Sequence, residues 1–237
     1  MPRRPSLGRR LATAARWPVG VGLTSWSYMW RTTPMHRREE LCATGDDAPP
    51  DLPPGVSTDE VQYASDGVGP LFRRRYTALI REPRLTAEEL IEHVANDLNS
   101  VTPTEFAVFQ KVHGEDEGME VGDEYVVRMA APWDGPVRVI DRTPCSFRFA
   151  TLDGHLEAGQ IEWHADEEDG ELRFGIESWA RSGDRLSDLM HNHLRMAKEV
   201  QLHMWTSVIE RVARDVGGHL PAGIEIDTRR VEVHDTG

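Results

Sequence analysis

Between Leu71 and Ile80 the apolar side chains Phe72, Tyr76, Ala78 and Ile80 share one side of an alternating pattern, which predicts a half-buried β-strand. Arg74 interrupts that side with a charge. The period then lengthens: Leu90, Ile91, Val94 and Leu98 recur at three and four, predicting a helix that ends at Asn99-Ser100. Thr86 and Glu89 open it as a capping box, the Thr hydroxyl accepting from the backbone three residues on while the Glu reaches back.

From Thr104 to Trp179 the period is two. Tyr125, Val127 and Met129 alternate with Glu124, Val126 and Arg128, and Phe147 and Phe149 alternate with Ser146 and Arg148. Ile161, Trp163 and Ala165 do so with Gln160, Glu162 and His164, as do Leu172, Phe174 and Ile176 with Arg173 and Glu177. One buried and one wet face is the mark of an antiparallel sheet. Turn signals at Asp116-Glu117-Gly118, Asp134-Gly135-Pro136, Asp153-Gly154 and Asp169-Gly170 space these runs as six consecutive strands.

Beyond Trp179 a long helix is expected, starting at Asp184 or Ser187 and stopped by Gly217-Gly218. Met190, Leu194, Ala197, Met204, Val208 and Val212 form its apolar stripe, with Arg195, Lys198, Glu199, Glu210 and Arg214 facing water. The fold class predicted is therefore α+β, a curved antiparallel sheet of about seven strands wrapped over a long C-terminal helix. That domain spans residues 60–218. A basic, aromatic and partly helical arm (1–47), a Pro-rich linker (48–59) and a C-terminal tail (219–237) complete the chain, the run Ala-Pro-Pro-Asp-Leu-Pro-Pro-Gly being unable to continue a helix or a ladder.

Composition narrows the class. With 39% apolar and 28% charged residues among 237, the chain reads as an ordinary globular protein. Its net charge of −13 is unevenly placed, because residues 1–40 hold eight Arg against Glu39 and Glu40, leaving about −19 elsewhere. Such a body repels phosphate backbones, which argues against a nucleic-acid partner. Cys42 and Cys145 lie in different segments without CxxC or Cys/His spacing, which favours the reducing cytoplasm over a disulfide frame or a zinc site. Arg9-Arg10 followed by Leu-Ala-Thr-Ala-Ala fits a secretory signal poorly, since Arg16 and Pro18 break the apolar stretch. Trp17, Trp26, Tyr28 and Trp30 among arginines suit peripheral membrane contact of residues 9–31, or docking on the acidic body of this chain or of a second copy. Oligomeric state is left open.

The sequence Thr151-Leu152-Asp153-Gly154-His155-Leu156-Glu157-Ala158-Gly159, the alternating strand and acidic hairpin after it, and Ile176-Glu177-Ser178-Trp179-Ala180-Arg181 before the long helix together resemble a known family. That family is domain of unknown function 1990 (DUF1990), with a recurring core of T-L-x-G-H-x-x-x-G-E and then I-x-[SA]-[FW]-[SA]-[RK]. Gln160 stands where the core usually has Glu, and Ser182 where Pro often follows. The family is similar to the START-like, Bet v 1-like (SRPBCC) helix-grip superfamily of lipid-binding proteins and polyketide cyclases. The resemblance covers residues of about 60–218 and implies a fold more than a reaction.

Two kinds of site are open. His155, with Asp153 and Glu157 around one sharp bend, forms the candidate acid/base set, and the same letters serve equally as a turn held by hydrogen bonds. Met129, Phe149, Trp163, Phe174, Met190 and Met204 face inward, where they line a pocket for a hydrophobic small molecule or lipid or fill a core, with Arg181 and His193 as polar candidates beside them. No metal site is expected, because His191 and His193 diverge by about 200° on a helix and His203 lies further on. The run Asp166-Glu167-Glu168-Asp169 lacks a calcium-loop pattern and reads as a solvated turn. A GxSxG elbow, a P-loop and a GxGxxG are absent from the sequence, so no cofactor is expected either. Three readings remain: a hydrophobic-ligand carrier or sensor, a cyclase- or hydratase-like enzyme using His155, and an interaction protein acting through its arm.

Overall fold

The computed structural model describes residues 33–40, 47–105, 107–129, 134–168, 170–183 and 195–231. Its frame is one sheet. In chain order the strands are β1 (Met35–Glu40), β2 (Val68–Ile80), β3 (Ala107–His113), β4 (Glu124–Met129), β5 (Asp134–Thr143), β6 (Ser146–Thr151), β7 (Glu157–Glu168), β8 (Glu171–Ser182) and β9 (Ile224–Val231). They lie in the order β1-β9-β2-β8-β7-β6-β5-β4-β3. Every pairing is antiparallel except β1 with β9. The helices are α1 (Ala87–Asn96), α2 (Leu98–Val101) and α3 (Arg195–Asp215).

The alternation read from the sequence sets the register. Phe147 faces Trp163 across β6 and β7, and Trp163 faces Ile176 across β7 and β8. The helices cover this inner face: Leu90, Ile91 and Val94 of α1 and Val208, Ile209 and Val212 of α3 join the same core, each fully buried. The capping box forms as expected, Glu89 N–H donating to Thr86 Oγ1 over 3.3 Å and Thr86 N–H to Glu89 Oε2 over 2.9 Å. Gly217 and Gly218 end α3, Gly218 N–H reaching back to Ala213 O at 2.9 Å.

Four expectations change. The sheet has nine strands rather than seven, because β1 comes from the segment assigned to the arm and β9 from the segment assigned to the tail. β9 offers only Ile224 and Ile226 as alternating apolar positions and is otherwise placed by pairing with β1 and β2, so a hydrophobic period misses it. Residues 48–59, expected as a stiff Pro-rich linker between arm and body, cross the outer face of the sheet as a strap. Prolines cannot join a ladder, and side chains tie the strap instead: Gln160 Nε2 donates to Pro50 O over 2.9 Å, and Arg138 Nη1 to Ser57 O and Asp59 O over 3.1 and 2.7 Å. Asp134-Gly135-Pro136 is not a turn but the buried start of β5, with Asp134 paired to Arg128 of β4. Lastly, β8 continues past Trp179 to Ser182, and α3 is described from Arg195. The expected helix start, with Met190, His191 and His193, lies outside the described residues, as does the arm segment 9–31 with Cys42.

Ion pairs hold the outer face together. Asp47, 1% exposed, meets Arg73 and Arg229, and Arg73 and Arg75 share Glu177. Val61, Ile140, Ala150 and Leu152, with Leu52 and Val56 against them, make a second small core under the strap.

Candidate functional site

The inner face divides into an aromatic half and a polar end. In the aromatic half Trp163 stacks on Phe147 at 5.4 Å between ring centroids and meets Phe174 edge-on at 6.3 Å and Trp205 of α3 at 5.8 Å. Phe149 packs against Phe147 and Tyr125. Trp163 and Phe174 are fully buried and Phe149 is 2% exposed, all three within one core cluster. Met204 is partly buried against the same cluster.

The polar end is built where β2, β7, β8 and α3 meet. Alternation along β2 puts Arg74 on the same side as Tyr76, Ala78 and Ile80, so its guanidinium enters the interior and is 7% exposed. It lies 4.9 Å from the centroid of the Phe72 ring, a cation–π contact. Its Nη1 stands 3.9 Å from Glu157 Oε1, close enough for charge attraction and too far for a hydrogen bond. Gln201 of α3 donates from Nε2 to both Glu157 oxygens, at 3.2 and 3.4 Å. Ser178 of β8 is the direct partner of Arg74 across the ladder and is 5% exposed. Arg74 Nη1, Ser178 Oγ and Trp205 Nε1 are all buried hydrogen-bonding atoms without a partner. Leaving one such group unsatisfied costs about 1–3 kcal/mol.

His155 borders this end. Its Nδ1 is held by the backbone of Glu157, 2.9 Å from both the N–H and the carbonyl oxygen of that residue. Burial lowers the His155 pKa from its ordinary value, opposed by the nearby Glu157 carboxylate and backbone. Nε2 closes over Gly135: a Cβ there would lie 2.8 Å from it and 3.4 Å from Met129 Cε. The ring thus occupies the space a side chain at Gly135 would need, and Gln62, just after the strap, braces the same turn by donating to His155 O and Glu157 O. Of the triad expected at the bend, His155 and Glu157 are brought together. Asp153 is exposed, its backbone N–H held by Glu60 O at 2.8 Å. Arg181 stands on the outer face beside Gly67 and Ala158, opposite the inward aromatic residues.

Arg74, Ser178, Gln201 and Trp205 were not among the residues singled out by sequence. Arg74 carried a signal, the charge that breaks an apolar face. Ser178, Gln201 and Trp205 carried none until the pairing of β2 with β8 and the seat of α3 were known. The outer face holds a cleft of about 240 Å³ between strap and β7 that touches Pro49, Leu52, Val61, Tyr63 and Gln160. Among the described residues no cluster of three or more His, Cys, Asp or Glu side chains could hold a metal ion, and no helix is long and apolar enough to cross a membrane.

A family model described as a domain of unknown function, DUF1990, matches residues 58–211, from the end of the strap into α3. The chain belongs to the DUF1990 family. The stretch that carried the resemblance is the β6–β7 bend, and Gly159 within it has a structural cause: its φ is +154° and a Cβ would fall 1.9 Å from Trp179 O, so the strand passes only as glycine. No curated protein matches the chain. Among solved structures, ginseng major latex-like protein 151 from Panax ginseng is similar at 13% identity, over 62% of this chain and 98% of that one, with a TM-score of 0.47. Ara h 8.0201 is similar at 9% identity, over 62% and 97%, with a TM-score of 0.41. Protein Ms6760 from Mycobacterium smegmatis is similar at 14% identity, over 66% and 96%, with a TM-score of 0.41.

Proposed function

We propose that this DUF1990 protein binds a hydrophobic small molecule or lipid between the inner face of the sheet and α3, working as a helix-grip domain of the START-like kind. One observation carries the reading: Arg74 Nη1 and Ser178 Oγ, paired residues of β2 and β8, are buried without hydrogen-bond partners on the face that carries the apolar core. A packed core excludes such groups or pairs them, whereas an interior that receives a guest keeps them for the guest.

The cyclase- or hydratase-like alternative draws less support. His155 spends Nδ1 on the backbone of Glu157 and turns Nε2 onto Gly135, a geometry suited to holding the bend. The test of the binding reading is native mass spectrometry of the full chain purified from lysate, with solvent extraction of what it carries. A bound apolar molecule released by solvent is expected; bare protein that also takes up no added apolar probe would end the proposal.

A further inference from the structure

We infer that Asn99 guards the β3 edge of the sheet: its carboxamide takes the two backbone hydrogen bonds at Phe109 that the β3 strand of a second copy would make, and so keeps the chain from pairing edge to edge with itself. Phe109 N–H donates to Asn99 Oδ1 over 2.8 Å, and Asn99 Nδ2 donates to Phe109 O over 2.9 Å. Opposite residues of an antiparallel ladder exchange this same pair of bonds. Phe109 stands across from Val127 of β4, yet both its backbone groups go to Asn99, so they point away from β4 and out of the sheet edge. Ala107 N–H, two residues earlier on the same side, donates to Pro103 O over 3.1 Å. The segment carrying Asn99 is pinned, since Leu98 and Val101 are buried in the core and Asn99 N–H donates to Asp97 Oδ1 over 3.0 Å.

An exposed edge strand recruits another strand unless charge, proline or a cover prevents it. At the opposite end of the sheet β1 reads Met-His-Arg-Arg-Glu-Glu, charged on both faces. β3 carries no such run. Val108 and Val112 are 36% and 49% exposed, and Lys111 turns its ammonium into the loop that follows, donating to Glu115 O, Gly118 O and Asp123 Oδ2, each at 2.7 Å. A β3 strand of a second copy, antiparallel with Phe109 opposite Phe109, would exchange the same two bonds, set Val108 against Gln110 and bring no like charges face to face over residues 107–111. Asn99 holds that position instead.

The experiment is sedimentation velocity of the full chain over a concentration series, wild type against Asn99→Ala, with hydrogen exchange of the Phe109 amide alongside. The expected result is self-association at least about tenfold tighter in Asn99→Ala, with the Phe109 amide exchanging fast on dilution and slowly at high concentration. Adding Val108→Lys returns the variant to wild-type behaviour, because a charge on the pairing edge opposes a second strand. Should Asn99→Ala fail to fold, Asn99→Asp decides by the same measurements, since it keeps an acceptor for Phe109 N–H and sets a carboxylate oxygen against Phe109 O. Association no tighter than that of the wild type overturns the inference. So does association that Val108→Lys leaves unchanged, which would put the contact elsewhere, or association that Asn99→Ala weakens, which would make Asn99 part of an interface.

Discussion

Arg74 and Ser178 sit opposite one another on β2 and β8, more than nine-tenths buried, each with an atom that has no hydrogen-bond partner. The same interior satisfies its other hydroxyls: Thr206 Oγ1 donates to Leu202 O over 2.8 Å and Thr102 Oγ1 to Leu98 O over 2.7 Å. The contrast makes a stability prediction. In ligand-stripped protein Ser178→Ala leaves unfolding free energy unchanged or raises it by up to about 1 kcal/mol, whereas Thr206→Val lowers it by about 1 kcal/mol. Urea denaturation of both variants checks this, and a loss at Ser178→Ala equal to that at Thr206→Val would mean that the hydroxyl is bonded after all.

The pH dependence follows from His155. Burial lowers its pKa below the ordinary 6.5, so the unfolded chain binds more protons than the native one between 6.5 and the depressed folded value. Stability from this group is complete above pH 6.5 and drains as the pH falls through the folded value. Asn at 155 can still accept from Glu157 N–H but does not titrate. Chemical denaturation across this window should therefore show a smaller acid loss in His155→Asn than in wild type; parallel curves would show that His155 is not held neutral.

The strap is an integral part of the fold. Arg138, 7% exposed, bonds Glu124, Ser57 O and Asp59 O at once. Replacing it with Met should cost about 2–4 kcal/mol and open residues 48–59 to protease under native conditions. Unaltered proteolysis would place the holding force elsewhere.

Truncation separates β9 from the six residues C-terminal to it. Deleting residues 219–237 removes the strand that bridges β1 and β2 and buries Ile224 and Ile226, and should abolish cooperative unfolding or produce insoluble chain. Deleting residues 232–237 alone should leave the melting temperature within a few degrees. Equal behaviour of the two deletions would contradict the role given to β9.

Much of this architecture was legible in the sequence, and the reasons are local. Thr86 and Glu89 announce α1 within four residues, and the alternation around Trp163 and Phe174 fixes which side of β7 and β8 is buried. What stayed hidden depends on pairing at a distance. β9 is placed by backbone pairing with β1 and β2 and by the Arg229–Asp47 ion pair, with only Ile224 and Ile226 in alternation, and the prolines of the strap gain their place from Gln160 and Arg138 far along the chain. The site follows the same division. Aromatic residues chosen as pocket lining turn out to fill the core, because a period shows which side a residue takes and not whether space remains there. The polar end became visible only when β2 met β8, and its one trace in the sequence was the charge at Arg74 in an apolar row.

The most direct test of a ligand seat beneath α3 is the indole N–H signal of Trp205, followed by NMR while the solvent-stripped chain is titrated with decyl methyl ketone. Trp179 provides an internal control, since its buried Nε1 also lacks a partner but stands on the outer face. The account predicts a saturable downfield shift of the Trp205 indole proton as it gains an acceptor, with Trp179 unmoved. A still Trp205 signal at saturating ketone, or a shift confined to Trp179, would contradict it.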